Sequence, residues 1–101
     1  INTIITGNAS SAATIISMAG HTRKITANSY MLIHNISSVF WGKMHEFEDE
    51  MKNMAKLTTN LKKIYNECGN ITKKQLDDLL RKDLLLDAKT CIRYGFVDEI
   101  C

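Results

Sequence analysis

Tyr30-Met31-Leu32-Ile33 is a run of strand length with no charged or amide position in it. A strand that is apolar throughout is covered on both faces, as the strands of a buried parallel sheet are. That run points to an α/β chain. Ile1 to Thr6 (INTIIT) is β-branched and apolar and predicts a second short strand. It starts without a preceding turn, as if cut from something longer. Between the two, Gly7-Asn8 predicts a turn, Ala9 to Ala19 a helix, and Gly20 a left-handed helix stop. The polar segment from His21 to Ser29 has an apolar centre and predicts turn, short strand and turn.

Residues 35–42 are expected as a polar loop or edge strand ending in Trp41-Gly42. One long helix is expected from Lys43 to about Tyr65. Met44, Phe47, Met51, Met54, Thr58, Leu61 and Tyr65 alternate steps of three and four along it, a heptad stripe. Acidic residues lead and lysines follow, which suits the helix dipole. Gly69 and Asn70 end the helix. Thr72 to Gln75 is a capping box that opens a short helix to about Leu80. Asp87 predicts the N-cap of a last helix, Ala88 to Tyr94, stopped by Gly95. Phe96 to Ile100 predicts a closing strand.

The bulk properties narrow the function. A chain of 101 residues is expected to be one domain, and 45% hydrophobic residues allow a modest core. A net charge of +2 provides no basic patch, which argues against nucleic acid. No apolar run approaches the roughly 18 residues of a membrane span, and the N-terminus lacks the basic start of a signal peptide. Cys68, Cys91 and Cys101 are odd in number and fit no C-x-x-C spacing. They are expected as reduced thiols in a cytosol-like compartment.

Chemistry gathers around GNASSAATIISMAG, Gly7 to Gly20. One reading makes Ser10 or Ser11 an N-cap. The other makes one of them a nucleophile at a strand-to-helix turn, with the first helical N–H groups placed to hold an oxyanion. Local sequence leaves both open. A nucleophilic serine needs a base. His21 and His45 are expected at the surface, whereas His34 ends the apolar strand, where an imidazole is held rigidly and where open sheets place their chemistry. The orienting carboxylate is open among Asp77, Asp78, Asp83, Asp87 and Asp98. A metal reading rests on His45 and Asp49 at i, i+4. It has no further ligand at suitable spacing, so no metal or other cofactor is expected.

GNASSAATIISMAG, NSYMLIH and RKDLLLDAKTCIRYGFVDEI together resemble the C-terminal half of the caseinolytic (Clp) protease proteolytic subunit family. They are nearest the shorter-looped versions of phage and viral genomes. The resemblance covers nearly the whole chain and implies the Clp protease/crotonase-like α/β fold. That fold has short parallel strands, flanking helices and a "handle" segment, here about residues 35–66. It implies Ser11 as nucleophile, His34 as base and Asp83 as triad aspartate, with the Ala12 N–H as one oxyanion donor and Ser10 as cap or spacer. Ser37-Ser38 stand where the family has the Gly-Gly that holds a substrate strand. Ile36 replaces a proline, and Lys82 replaces an arginine.

The implied function is a cytoplasmic serine endopeptidase that cuts unfolded polypeptides. It would work within stacked homo-oligomeric rings fed by an AAA+ unfoldase, with no membrane or nucleic-acid partner. Two other functions are weighed. One is a structural or assembly subunit without turnover, since a family subunit is about twice this length and its first half holds the other oxyanion donor. The other is a crotonase-like acyl-chain enzyme, which needs no serine; the ordered serine, histidine and aspartate argue against it.

Overall fold

The computed structural model describes residues 1–35 and 41–101. Its elements run β1 (Thr3–Ile5), β2 (Asn8–Ser10), α1 (Ala12–Met18), β3 (Arg23–Ile25), β4 (Tyr30–Leu32), α2 (Met44–Cys68), α3 (Lys73–Arg81), α4 (Ala88–Arg93) and β5 (Glu99–Ile100). β1, β3 and β5 form one parallel sheet in the order β1-β3-β5, and β2 pairs with β4 in a second parallel pair. The two sheets share their connections. β1 bends at Gly7 into β2, and β3 turns through Thr26–Ser29 into β4. The bends face each other, since Thr26 N–H donates to Ile5 O (3.0 Å) and Tyr30 N–H to Gly7 O (2.9 Å). The chain is thus α/β with short parallel strands and flanking helices, as the apolar run at Tyr30 implies.

β2 corrects the expected helix over Ala9–Ala19. Asn8, Ala9 and Ser10 pair with Tyr30, Met31 and Leu32, so the helix begins only at Ala12. Three residues carrying one buried side chain, Ala9, give too short a pattern to reveal a strand. Gly20 is not in the left-handed region either; among the described residues the glycine with positive φ is Gly95. Gly20 is required by crowding instead. A Cβ there would stand 2.5 Å from Thr3 Oγ1 and 3.0 Å from Thr3 N. The closing strand is also shorter than expected. Phe96 and Val97 are buried ahead of it, and pairing starts at Glu99.

The core lies between the sheets and the helices. Ile25, Met31, Ile33, Tyr65, Leu76, Cys91 and Phe96 are almost fully buried. Tyr65 and Phe96 meet edge to face with centroids 6.0 Å apart, the favoured geometry for two rings. The last third of α2 enters this core, and the helix runs three residues beyond Tyr65 before Gly69 ends it. On its first half, Met44, Phe47 and Met51 of the heptad stripe are exposed. A 25-residue helix is about 37 Å long at 1.5 Å per residue, and it accounts for most of the molecule's 50 Å long axis.

The caps of the last two helices follow the sequence. Thr72 Oγ1 accepts from Gln75 N–H while Gln75 Oε1 accepts from Thr72 N–H, each at 3.1 Å. Asp87 Oδ1 accepts from Thr90 N–H at 2.8 Å. Arg23 then ties three elements together. Its guanidinium donates to both carboxylate oxygens of Asp98, next to β5, and to the carbonyl of Cys68 at the end of α2 (2.8 Å).

Candidate active site

β2 and β4 are parallel neighbours, so their C-terminal ends lie side by side. Ser11 is the residue after β2, and His34 follows β4 by two residues. Ser11 N–H still donates to Leu32 O (3.2 Å), which holds the end of β2 against β4. In this arrangement Ser11 Oγ and His34 Nε2 are hydrogen-bonded. Ser11 is exposed and His34 half-buried, so the pair opens to solvent.

Ser11 occupies the N-cap position of α1, but its side chain makes no capping hydrogen bond. Its backbone has φ 54° and ψ −121°, and among the described residues it is the non-glycine with positive φ. A residue with a Cβ is held there at a cost of about 1–3 kcal/mol. The strand-to-helix turn directs the hydroxyl toward His34 and away from the helix amides. Ser10, expected as cap or spacer, is the last residue of β2, paired with Leu32, and does not cap. Ala12 and Ala13 are the first two helical residues, and their N–H groups have no acceptor inside the helix.

The histidine's tautomer follows from its partners. Nδ1 lies 2.9 Å from the carbonyl oxygen of Asn35. A carbonyl only accepts, so Nδ1 carries the proton. Nε2 then presents its lone pair to Ser11, and the serine hydroxyl is the donor. That is the protonation pattern a general base requires.

Four of the five candidate aspartates are engaged elsewhere. Asp77 pairs with Lys62 (3.0 Å) and Asp78 with Arg81 (2.7 Å). Asp87 caps α4, and Asp98 binds Arg23. Asp83 lies in the segment between α3 and α4, and among the described residues it makes no hydrogen bond to His34. Its register is nonetheless informative. Leu86 and Met31 form an antiparallel bridge, with Leu86 N–H donating to Met31 O (2.7 Å) and Met31 N–H to Leu86 O (3.0 Å). Three residues onward from Met31 is His34, and three residues back from Leu86 is Asp83. Continuing that pairing would set Asp83 opposite His34.

Among the described residues the remaining candidates do not join this pair. Ser37 and Ser38 lie outside the described residues. His21 and His45 are exposed. Among the described residues no group of three or more His, Cys, Asp or Glu side chains could hold a metal ion, and His45 with Asp49 remains a pair. Burial pushes the Cys91 thiol up to about 12, which makes it a core residue and a poor nucleophile. The sequence reading missed two residues behind the site. Thr14 and Tyr65 are buried beneath Ser11 and hydrogen-bonded to each other. The signal available was the heptad stripe, whose last member is a tyrosine; a buried tyrosine hydroxyl needs a partner.

The geometry defines a class: an α/β chain with a serine–histidine pair at the C-terminal ends of adjacent parallel strands. Comparison with known proteins makes the assignment specific. The Clp protease family matches over residues 1–101, and the chain belongs to that family. It is 28% identical over 102 residues to the ATP-dependent Clp protease proteolytic subunit of Deinococcus radiodurans, covering 99% of this chain and 50% of the relative. The corresponding subunit of Streptococcus mutans is 31% identical over 104 residues, covering 99% and 53%. Proteolytic subunit 1 of Tropheryma whipplei is 29% identical over 104 residues, covering 99% and 50%. The chain spans about half the length of these relatives.

Proposed function

We propose that this chain is the C-terminal half of a Clp-type serine endopeptidase subunit, with Ser11 as nucleophile. The observation that carries the reading is the Ser11–His34 hydrogen bond, made from a positive-φ turn with the imidazole in the base tautomer. Ser11 Oγ attacks the peptide carbonyl while His34 Nε2 takes its proton. His34 then returns the proton to the leaving amine, and a water activated by the same imidazole releases the acyl group. The Ala12 N–H, free of a helical acceptor, stabilises the developing oxyanion. Asp83 enters by extension of the Leu86–Met31 pairing and holds the imidazole as it charges; until then the Asn35 carbonyl fixes the tautomer. Ser37 and Ser38 hold the substrate strand.

Family membership supports unfolded polypeptides as substrates, a ring of like subunits and an ATPase partner. The exposed stripe on the first half of α2 is a surface such a ring would cover. The three free thiols suit a reducing, cytoplasmic setting.

A second reading, an assembly subunit without turnover, draws on Asp83 standing apart from His34. Hydrolysis of an unstructured polypeptide by the assembled protein separates the two. The endopeptidase reading expects Ser11→Ala and His34→Ala to abolish cleavage and Asp83→Asn to slow it by about 10³–10⁴-fold. Cleavage that survives Ser11→Ala, or its absence from the intact assembly, contradicts it.

A further inference from the structure

We propose that Thr14 and Tyr65 are positioning residues for Ser11, acting as a buried hydroxyl relay that holds the serine turn in its positive-φ conformation. The proposal rests on the reading of Ser11 and His34 as the reacting pair.

Ser11 sits in an unfavourable backbone region, and such a residue persists only where its surroundings over-determine it. On one side its N–H is held by Leu32 O. On the other its carbonyl accepts twice, from Thr14 N–H at 3.0 Å and from Thr14 Oγ1 at 2.6 Å. The acceptor is a carbonyl, so the single hydroxyl proton of Thr14 goes to Ser11 O. Tyr65 Oη lies 2.6 Å from Thr14 Oγ1. With the Thr14 proton already committed, Tyr65 is the donor. The relay therefore has one direction: Tyr65 O–H to Thr14 Oγ1, and Thr14 O–H to Ser11 O.

A threonine bonding back to the carbonyl three residues earlier is common at helix starts. Two features separate this one. Thr14 and Tyr65 are 0% and 1% exposed, so water cannot substitute for either hydroxyl. Tyr65 reaches the turn from α2, 51 residues away. The relay fixes the Ser11 peptide and so the direction of Oγ toward His34, while neither hydroxyl touches the reacting atoms.

Tyr65→Phe keeps the ring against Phe96 and removes one hydroxyl. Thr14→Val keeps the shape and removes the other, and Thr14→Ser restores it. The Nε2 15N shift of His34 reads the Ser11–His34 hydrogen bond without turnover, with Ser11→Ala as the reference for its loss. The expected result is a shift toward the Ser11→Ala value in Thr14→Val and Tyr65→Phe, with recovery in Thr14→Ser. In the assembled peptidase, kcat falls about tenfold to a hundredfold at unchanged KM. The double variant is no worse than Thr14→Val, because Tyr65 acts through Thr14. An unmoved His34 shift in both single variants overturns the relay. Failure of the nucleophile reading would look different: the wild type would not turn over, yet the shift would still move.

Discussion

Two residues carry most of what the site can do, and each is fixed by a different force. Ser11 is held by its strand neighbour and by its own strained turn, and His34 by a carbonyl on its far nitrogen. Asp98, away from the site, shows how charge is used for cohesion. The Arg23 guanidinium and backbone N–H both bond its carboxylate and hold it below the usual carboxylate range. A carboxylate depressed in the folded state contributes stability above its unfolded pKa. That contribution is lost as pH falls through the folded value. Asp98→Asn should therefore lower the urea midpoint at pH 7 and differ little from wild type near pH 2. A gap that stays constant across that range would show that the carboxylate charge contributes nothing. At this scale the sequence was legible where chemistry restricts residue type. The resemblance singled out the same serine and histidine that the fold brings together. The capping role considered for either serine did not materialise, because β2 takes up Ser10 and the turn directs Ser11 away from the helix amides.

Among the elements, long periodic segments and capped helices were the most readable. The heptad stripe, the Thr72 box and the Asp87 cap each follow a local rule that tertiary contacts did not override. β2 was hidden because a three-residue strand shows no period; only pairing with β4 defines it. Gly20 was misread for a related reason, since its constraint comes from Thr3 across the sheet and not from its own helix. Gly95 is the opposite case. Its φ of +73° ends α4 as expected, and a Cβ there would also meet Asn70 N at 2.6 Å. Asn70 N–H is the donor to Tyr94 O (2.7 Å) that joins the end of α4 to the segment after α2. Gly95→Ala should destabilise by more than the roughly 1–2 kcal/mol of the left-handed backbone alone, read from denaturant unfolding. A loss under about 0.5 kcal/mol would mean that this junction adapts freely.

At the scale of the molecule, the core is closed around Tyr65 and Phe96 but the surface is not. Ile4 on β1, Ile16 on α1 and the first half of the α2 stripe are exposed, on a chain that spans half the length of its relatives. Periodicity alone cannot say which part of an apolar stripe enters the core: Leu61 and Tyr65 pack there, whereas Met44, Phe47 and Met51 are exposed. Asp83 illustrates the same limit. The resemblance names Asp83, and continuing the Leu86–Met31 register would set it opposite His34, but among the described residues the two are not hydrogen-bonded. The central claim is that Ser11, activated by His34, is a nucleophile. A fluorophosphonate probe applied to the assembled protein, with the adduct mapped by fragmentation of the peptide holding Ser10, Ser11 and Ser17, tests it directly. The account predicts a single adduct on Ser11, retained in Ser10→Ala and lost in Ser11→Ala and His34→Ala. An adduct on Ser10, labelling that persists in Ser11→Ala, or no labelling of the intact assembly would contradict it.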